Sequence, residues 1–402
     1  MLNHLPAIVA AGLALCGMGF YALCIWSARA FLRNPGKKDS SFTPPVSILK
    51  PLRGLDPHMY ESFRSHCVQD YPEYEIIFGV SHADDPSAAA VQKLMAEYPG
   101  CRIRLLVCPE VLGNNRKVSN LVQMLAHARY GHVLINDSDI YVPPDYLRRV
   151  MGPFARPQVG MVTCPYRGIP ANTLGSKLES LGISTEFIPG VLVARQIENG
   201  IHFALGSTLA MSRTALDSIG GLRPLVDYLA DDFELGLRIS QAGYEVVLAD
   251  VVVETHLPPY TMAGFFQHQL RWARSTRDSR RRGYIGLLLT FAVPWAMLAV
   301  ILAPAAWWSW SVLGLAALLR VAVALQVGLG VVHDRGILRN LWLLSLRDVA
   351  AFWVWFMSFG DNKVHWRGDI FILEKGRIRP AEDHDGKIVT AADPDDKVSA
   401  HW

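Results

Sequence analysis

The sequence carries almost no excess charge of either sign, with 39 Lys and Arg against 36 Asp and Glu, a net +3 over 402 residues. That balance argues against a nucleic-acid partner, which needs a concentrated basic surface. Its six cysteines (Cys16, Cys24, Cys67, Cys101, Cys108 and Cys164) include no CxxC pair and no metal-ligand spacing. Buried thiols in a reducing compartment are the plain reading, rather than a disulfide framework or structural zinc. No internal repeat is visible, which sets aside a solenoid. What is abundant is apolar residue: 51% are hydrophobic and the mean hydropathy is positive, high for a wholly soluble chain.

The apolar excess is concentrated. Residues Leu5 to Trp26 contain no Asp, Glu, Lys or Arg, and about twenty apolar residues suffice for a helix to cross a hydrocarbon core. A cleaved signal peptide would start basic and be shorter. Here Arg29, Arg33, Lys37 and Lys38 follow the run, so residues 1–36 are expected to be an anchor with the next domain in the cytoplasm. A second block, Tyr284 to Val332, is broken only by Arg320. With Pro304 and the Trp307–Trp310 cluster as a turn, it is expected to hold two spans within 283–332. A third segment, Leu341 to Phe359 within 333–377, carries Arg347 and Asp348 near its middle. Such residues face protein or water, so this segment spans, re-enters or lies along the interface.

Between residues 37 and 282 strand-like and helix-like runs alternate. VSILKPL (Val46 to Leu52), IIFGVS (Ile76 to Ser81), IRLLVC (Ile103 to Cys108) and HVLINDSDI (His132 to Ile140) read as strands. Met59 to Gln69, Pro86 to Tyr98 and Lys117 to Arg129 read as helices. The fold class expected is α/β, a mostly parallel sheet flanked by helices, which binds ligands at the carboxyl ends of its strands. The tail 378–402 is charged and poor in large apolar residues, and disorder is expected there.

Four places carry chemistry. Asp137-Ser138-Asp139 directly follows an apolar strand, where two carboxylates can hold Mg²⁺ or Mn²⁺ against a diphosphate; an Asp-rich turn is the alternative. Asp84 and Asp85 also follow a strand, and either meet a nucleotide or cap the helix near Pro86. Asp231-Asp232 opens a helix; paired carboxylates raise each other's pKa, which suits a general base, and N-capping by Asp231 competes. In HQLRW, Arg271 can grip a diphosphate and Trp272 can stack on a sugar, although a juxtamembrane basic cluster has the same composition. Lys117 opens a helix after Gly-Asn-Asn, as a phosphate contact or a solvated lysine. His202 and His256 read as structural histidines.

The order and spacing of these elements resemble the ceramide glucosyltransferase family, inverting enzymes with a GT-A nucleotide-sugar fold. The resemblance runs from the N-terminal anchor through Trp366 to Gly368. It rests on VSILKPLRG (Val46 to Gly54), SHADDP (Ser81 to Pro86), RKVSNL (Arg116 to Leu121), NDSDIYVPPDYL (Asn136 to Leu147), STLAMSRTALDSIGGL (Ser207 to Leu222) and DDFELGLRI (Asp231 to Ile239). It implies that Asp84 and Asp85 contact the nucleotide, that Asp137 and Asp139 form the metal site with Asp139 as direct ligand, and that Asp232 is the catalytic base. Asp231 stands where the family more often has Glu, and Arg271 and Trp272 match the closing RW. His268 departs from the Gln or Arg that opens that motif, and Gln267 and Gln269 do not restore its register. Leu346 to Leu373 is similar to the bacterial branch that glycosylates hopanoid polyols from an N-acetylglucosamine donor.

The resemblance therefore implies a multi-pass membrane hexosyltransferase, cytoplasmic-facing at a bacterial inner membrane. It would move one sugar from UDP-GlcNAc or UDP-glucose to a hopanoid polyol or ceramide. The bilayer, a UDP-sugar, a lipid acceptor and other lipid-biosynthesis enzymes are the expected partners. The rivals are a processive polysaccharide synthase, which needs a channel for its chain, and a non-catalytic scaffold. A transporter would show paired apolar halves.

Overall fold

The computed structural model describes residues 4–33, 41–366 and 369–381. Lys37, Lys38, the Arg367-Gly368 of the WRG segment and residues 382–402 lie outside them.

Apolar β-branched runs form the central strands: β1 (Val46–Leu52), β2 (Tyr74–Val80), β3 (Ile103–Val107) and β4 (His132–Ile135). The short β5 (Ile140–Tyr141) follows, then β6 (Val159–Thr163), β7 (Tyr166–Ile169), β8 (Leu209–Ser212), β9 (Glu245–Leu248) and β10 (Val253–His256). Seven of them make one sheet in the order β3-β2-β1-β4-β8-β6-β9. β1, β2, β3 and β4 pair in parallel, and β8 runs antiparallel to both β4 and β6. β1 and β2 are buried on both faces, as near-continuous apolar parallel strands require. The α/β expectation holds: the sheet is mixed and mostly parallel, with only the β8 pairings antiparallel.

A second sheet, β5-β10-β7, sits at the carboxyl end of β4. It is the local reason that Asp137 and Asp139 are held where they are: the chain turns straight from β4 through the two carboxylates into β5.

The helix Leu5–Arg33 packs along Ala292–Leu302 and Trp307–Val323. A Cβ on Gly17 would come within 2.6 Å of the Ala292 backbone nitrogen, so glycine permits this close helix crossing. Leu5–Arg33 (29 residues) and Trp307–Leu329 (23 residues) are long and apolar enough to span a membrane. The expected span between them is different. Arg281–Thr290 and Ala292–Leu302 meet at a 50° bend, a broken span or a re-entrant loop. The Arg347 segment forms a helix of only 14 residues, Leu344–Met357, shorter than the roughly 20 needed to cross. Its two charges are buried against protein, and Asp348 accepts Arg320 Nε on both carboxylate oxygens at 2.9 Å.

For residues 378–381 the expectation of disorder is corrected, and the rest of the expected tail, 382–402, lies outside the described residues. The strands β11 (Lys363–Trp366), β12 (Asp369–Glu374) and β13 (Arg377–Pro380) form a three-stranded meander. Buried Ile378 alternates with exposed Arg377 and Arg379, a period-2 pattern too short and too basic to stand out in the sequence.

Candidate active site

The carboxyl ends of the central strands open into a cleft of about 2400 Å³. Its polar end is built from four loops. Asp137 and Asp139 leave β4, Lys117 sits one residue into the helix Arg116–Leu125, Asp231 and Asp232 open the helix Asp231–Gln241, and Asp56 follows β1.

Asn115 caps the helix at Lys117 by accepting from Val118 N at 3.1 Å, which fixes the direction in which Lys117 leaves. Lys117 Nζ lies 2.8 Å from Asp137 Oδ1 and 3.5 Å from Asp231 Oδ2. Burial lowers the Lys117 pKa, but Asp137 and Asp231 outweigh it and hold the ammonium well above its ordinary range. Asp231 does not cap its helix. The cap position is Ala230, with no side-chain bond, so Asp231 is left to meet Lys117.

Asp139 accepts a hydrogen bond from Thr255 Oγ1, and Ser138 Oγ donates one to Asp56. Burial, and then the Asp137 charge, push the Asp139 carboxyl up to about 6. Asp232 is likewise raised to about 6 by burial and by Asp231 beside it. Its Oδ1 accepts from Phe233 N at 2.8 Å. Beneath them Lys50, completely buried in β1, donates to the Asp137 carbonyl at 2.9 Å. Burial drives its ammonium down to about 7, against the pull of Asp139 and Asp137.

The site therefore gathers hard oxygen donors with raised affinity for positive charge. Among the described residues no group of three or more His, Cys, Asp or Glu forms an all-protein metal cage. That donor set fits Mg²⁺ or Mn²⁺, which is held through one or two carboxylates and completed by phosphate oxygens and water. Asp137 and Asp139 are the residues able to provide them.

Arg271 and Trp272 line the same cleft from the helix Met262–Ser279. Trp272 packs on Phe187 with ring centroids 5.7 Å apart and on His268 at 5.2 Å. Asp84 and Asp85 do not line the cleft. Asp84 is exposed, and Asp85 accepts from Ser87 N at 2.9 Å and from Gly54 N at 3.1 Å. Asp85 thus braces the loop after β1, which carries Asp56. His202 bonds Ser240 on the surface at 2.7 Å, whereas His256 lines the cleft and packs on His58 at 4.7 Å.

Several residues escaped sequence reasoning. Lys50 had a signal, a lysine inside an apolar strand; Asp56 and Tyr166 had none. The meander was also missed as a wall. His365, Trp366 and Phe371 line the cleft, and Leu229 N donates to Gly376 O at 3.1 Å just before Asp231.

The opposite end of the cleft is apolar and is walled by the bent helix pair Arg281–Leu302 and the short helix Leu344–Met357. Tyr284, Leu287, Phe291, Val354 and Trp355 line it, with Tyr284 and Trp355 stacked at 6.4 Å.

Residues 9–379 match glycosyl transferase family 21. The chain belongs to that family. Over 271 residues it is 25% identical to ceramide glucosyltransferase 3 of Caenorhabditis elegans, covering 67% of this chain and 58% of that protein. It is 26% identical over 233 residues to the β-monoglucosyldiacylglycerol synthase of Synechocystis sp., covering 57% and 47%. The chain thus spans about half the length of the curated relatives it matches. A mannosyltransferase from Pyrobaculum calidifontis, solved in complex with GDP-Man and Mn²⁺, superposes with a TM-score of 0.56 at 22% identity over 87% of this chain and 98% of that one. This family 21 chain shares that fold.

Proposed function

We propose that this family 21 chain is an inverting glycosyltransferase that moves one sugar from a UDP-sugar, UDP-GlcNAc or UDP-glucose, to the hydroxyl of a membrane lipid such as a hopanoid polyol or ceramide. The observation that carries the reading is the continuity of the cleft. One end holds Asp137, Asp139, Asp231, Asp232 and Lys117, and the other is walled by Tyr284, Phe291 and Trp355 of the membrane-associated helices. A water-insoluble acceptor can enter from the apolar end while a charged donor occupies the polar one.

In this reading Asp137 and Asp139 hold Mg²⁺ or Mn²⁺, which when bound offsets negative charge on the departing diphosphate. Arg271 and Lys117 contact the diphosphate, and Trp272 walls the sugar. Asp84 and Asp85 were expected to touch the nucleotide. Neither lines the cleft, and Asp85 acts on the site only by bracing the Gly54 loop that carries Asp56. Asp232 accepts the proton of the lipid hydroxyl as its oxygen attacks the anomeric carbon. The bond to the nucleotide diphosphate breaks with its electron pair, and the configuration inverts. A base raised to about 6 is ionised at neutral pH yet basic enough to take the proton in the transition state.

The test is Asp232→Asn. Donor affinity is expected to stay within a few-fold of the parent while sugar transfer falls by at least about a hundredfold, the scale of general-base catalysis. Transfer at parental rate would remove Asp232 from the mechanism.

A further inference from the structure

A second, smaller cavity of about 370 Å³ opens where the helix Leu5–Arg33 packs against the helix Ile188–Ile197. That volume falls in the range of small-molecule pockets, about 300–1,000 Å³. The cavity shares no lining residue with the cleft. Phe31 forms one wall, Arg195, Gln196 and Asn199 a second, and Arg156 with Glu245 a third. Arg156 and Glu245 satisfy one another through two bonds, at 2.8 and 3.1 Å. Arg195 is left over. Its guanidinium carbon lies 5.3 Å from the centroid of the Phe31 ring, and among the described residues no carboxylate or hydrogen-bond acceptor meets it. Burial alone lowers its pKa, with no neighbouring charge acting against it.

A half-buried cation with no counter-ion has lost hydration without replacement. Phe31 gives the guanidinium a face to lie on but no acceptor, so its N–H fork stays available to an anion that can be held bidentately, as phosphate is. The side-chain amides of Gln196 and Asn199, also without partners among the described residues, supply further N–H donors beside it. With two arginines against one glutamate, the cavity keeps a net positive charge. Its depth names the source of the anion. With the uncharged run Leu5 to Trp26 in the hydrocarbon core, Phe31 lies five residues past it, about 7 Å farther along the axis. The headgroup layer is about 5–8 Å deep on each side of the core, so Arg195, over Phe31, stands at headgroup level. Arg29 and Arg33, exposed on the last turns of the same helix, draw anionic lipid to that level.

We infer that this cavity binds the phosphate of an anionic phospholipid headgroup, held by Arg195 with Gln196 and Asn199 beside it. The bound lipid is neither donor nor acceptor in sugar transfer, and the inference does not depend on that reading. Its consequence is mechanical. Gly190, Val191 and Ala194 of the helix that carries Arg195 line the cleft, so a headgroup on Arg195 fastens one cleft wall to the bilayer.

The experiment titrates the detergent-solubilised full chain with phosphatidylglycerol, with phosphatidylcholine of the same acyl chains, and with glycerol 3-phosphate, and reads bound lipid by native mass spectrometry. Arg195→Gln is expected to weaken phosphatidylglycerol binding at least about tenfold, the worth of one hydrogen-bonded charge pair. Because Arg195 makes no bond to the protein, that variant is expected to melt with the parent when lipid is absent. Phosphatidylglycerol should raise the melting temperature of the parent, and phosphatidylcholine should raise it less. In Arg195→Gln the difference between the two lipids should vanish. The double variant Arg29→Gln with Arg33→Gln removes basic charge outside the cavity and is expected to bind phosphatidylglycerol within about threefold of the parent. Unchanged binding in Arg195→Gln overturns the site. An equal loss in the double variant also overturns it, since diffuse attraction to a basic helix end then accounts for the lipid. Glycerol 3-phosphate bound as tightly as phosphatidylglycerol, and lost in Arg195→Gln, overturns the lipid assignment in favour of a soluble phosphate ester.

Discussion

Lys117 Nζ stands 2.8 Å from Asp137 Oδ1, joining the start of one helix to the carboxylate at the end of β4. The lysine is an internal counter-ion for the carboxylates of the cleft, and also reaches Asp231 at 3.5 Å. A diphosphate brought by the donor competes for that ammonium. Lys117→Met is therefore expected to raise the donor KM by about tenfold or more, the loss of roughly 1.4 kcal/mol of binding. It should also lower the melting temperature, because Asp137 and Asp231 lose their partner. Steady-state kinetics with a UDP-sugar and a thermal melt of the same preparation check both.

The pH profile follows from Asp232. Its folded pKa is raised to about 6 from an ordinary 3.8, and as the proposed base it works only when unprotonated. Transfer is expected to fall about tenfold per pH unit below 6 and to level above it. A plateau continuing down to pH 4.5 would mean that the proton is taken elsewhere.

Asp139 allows a prediction of opposite sign for stability and activity. Its carboxyl is also raised, from 3.8 to about 6, so the folded chain binds that proton more tightly than the unfolded chain. The stabilising contribution is complete below pH 3.8 and is lost as pH rises through 6. At pH 7 the ionised group thus costs the metal-free protein up to about 3 kcal/mol. Asp139→Asn is expected to melt at a higher temperature than the parent without metal, to lose the further stabilisation by Mn²⁺, and to be inactive. Thermal melts with and without Mn²⁺ read out the first two.

The pairing of Arg320 with Asp348 ties the long apolar helix to the short helix Leu344–Met357, and Arg320 also donates to Thr185 O at 3.0 Å. Asp348→Leu alone strands a buried guanidinium and is expected to cost about 3–5 kcal/mol. Replacing both, with Arg320→Met and Asp348→Leu, should recover most of that. Guanidinium or thermal denaturation of the two variants in detergent decides it.

The meander offers a fourth handle on activity. Ile378 N donates to Asp227 O at 2.7 Å, and Asn114 Nδ2 bonds both Asp227 and Ile378 O at 2.9 Å. These bonds hold the loop that delivers Asp231 and Asp232. Ile378→Asp buries a charge in the meander's small core and is expected to reduce transfer by at least about tenfold, read as kcat on a saturating donor.

Local patterns in the sequence revealed the sheet strands and the places where they end in carboxylates. VSILKPL coincides with β1, and the apolar run before Asp137 ends at Ile135 in β4. Such signals are legible because a buried strand is a continuous apolar run, and its end is where polar groups first reach solvent. The buried polar cluster around Glu179 was not legible. Glu179 and Gln269 are 90 positions apart and meet only because the helix Leu174–Gly182 packs on Met262–Ser279. Arg347 looked like a misfit in an apolar segment, and its partners are supplied by other helices. Asp85 shows the converse: its composition suggested a nucleotide contact, whereas its geometry is that of a brace, since a carboxylate two residues before a helical N–H serves either purpose. β13 escaped because two arginines alternate with one isoleucine, too short a period to separate from a charged tail.

The most direct measurement is turnover by the detergent-solubilised chain with Mn²⁺ or Mg²⁺. UDP-glucose and UDP-N-acetylglucosamine are offered against ceramide and a bacteriohopane polyol, and the products are weighed by mass spectrometry. The account predicts a lipid product heavier by a single sugar, formed only with metal and lost in Asp232→Asn. Absence of any glycosylated lipid, together with no metal-dependent UDP release, would contradict it.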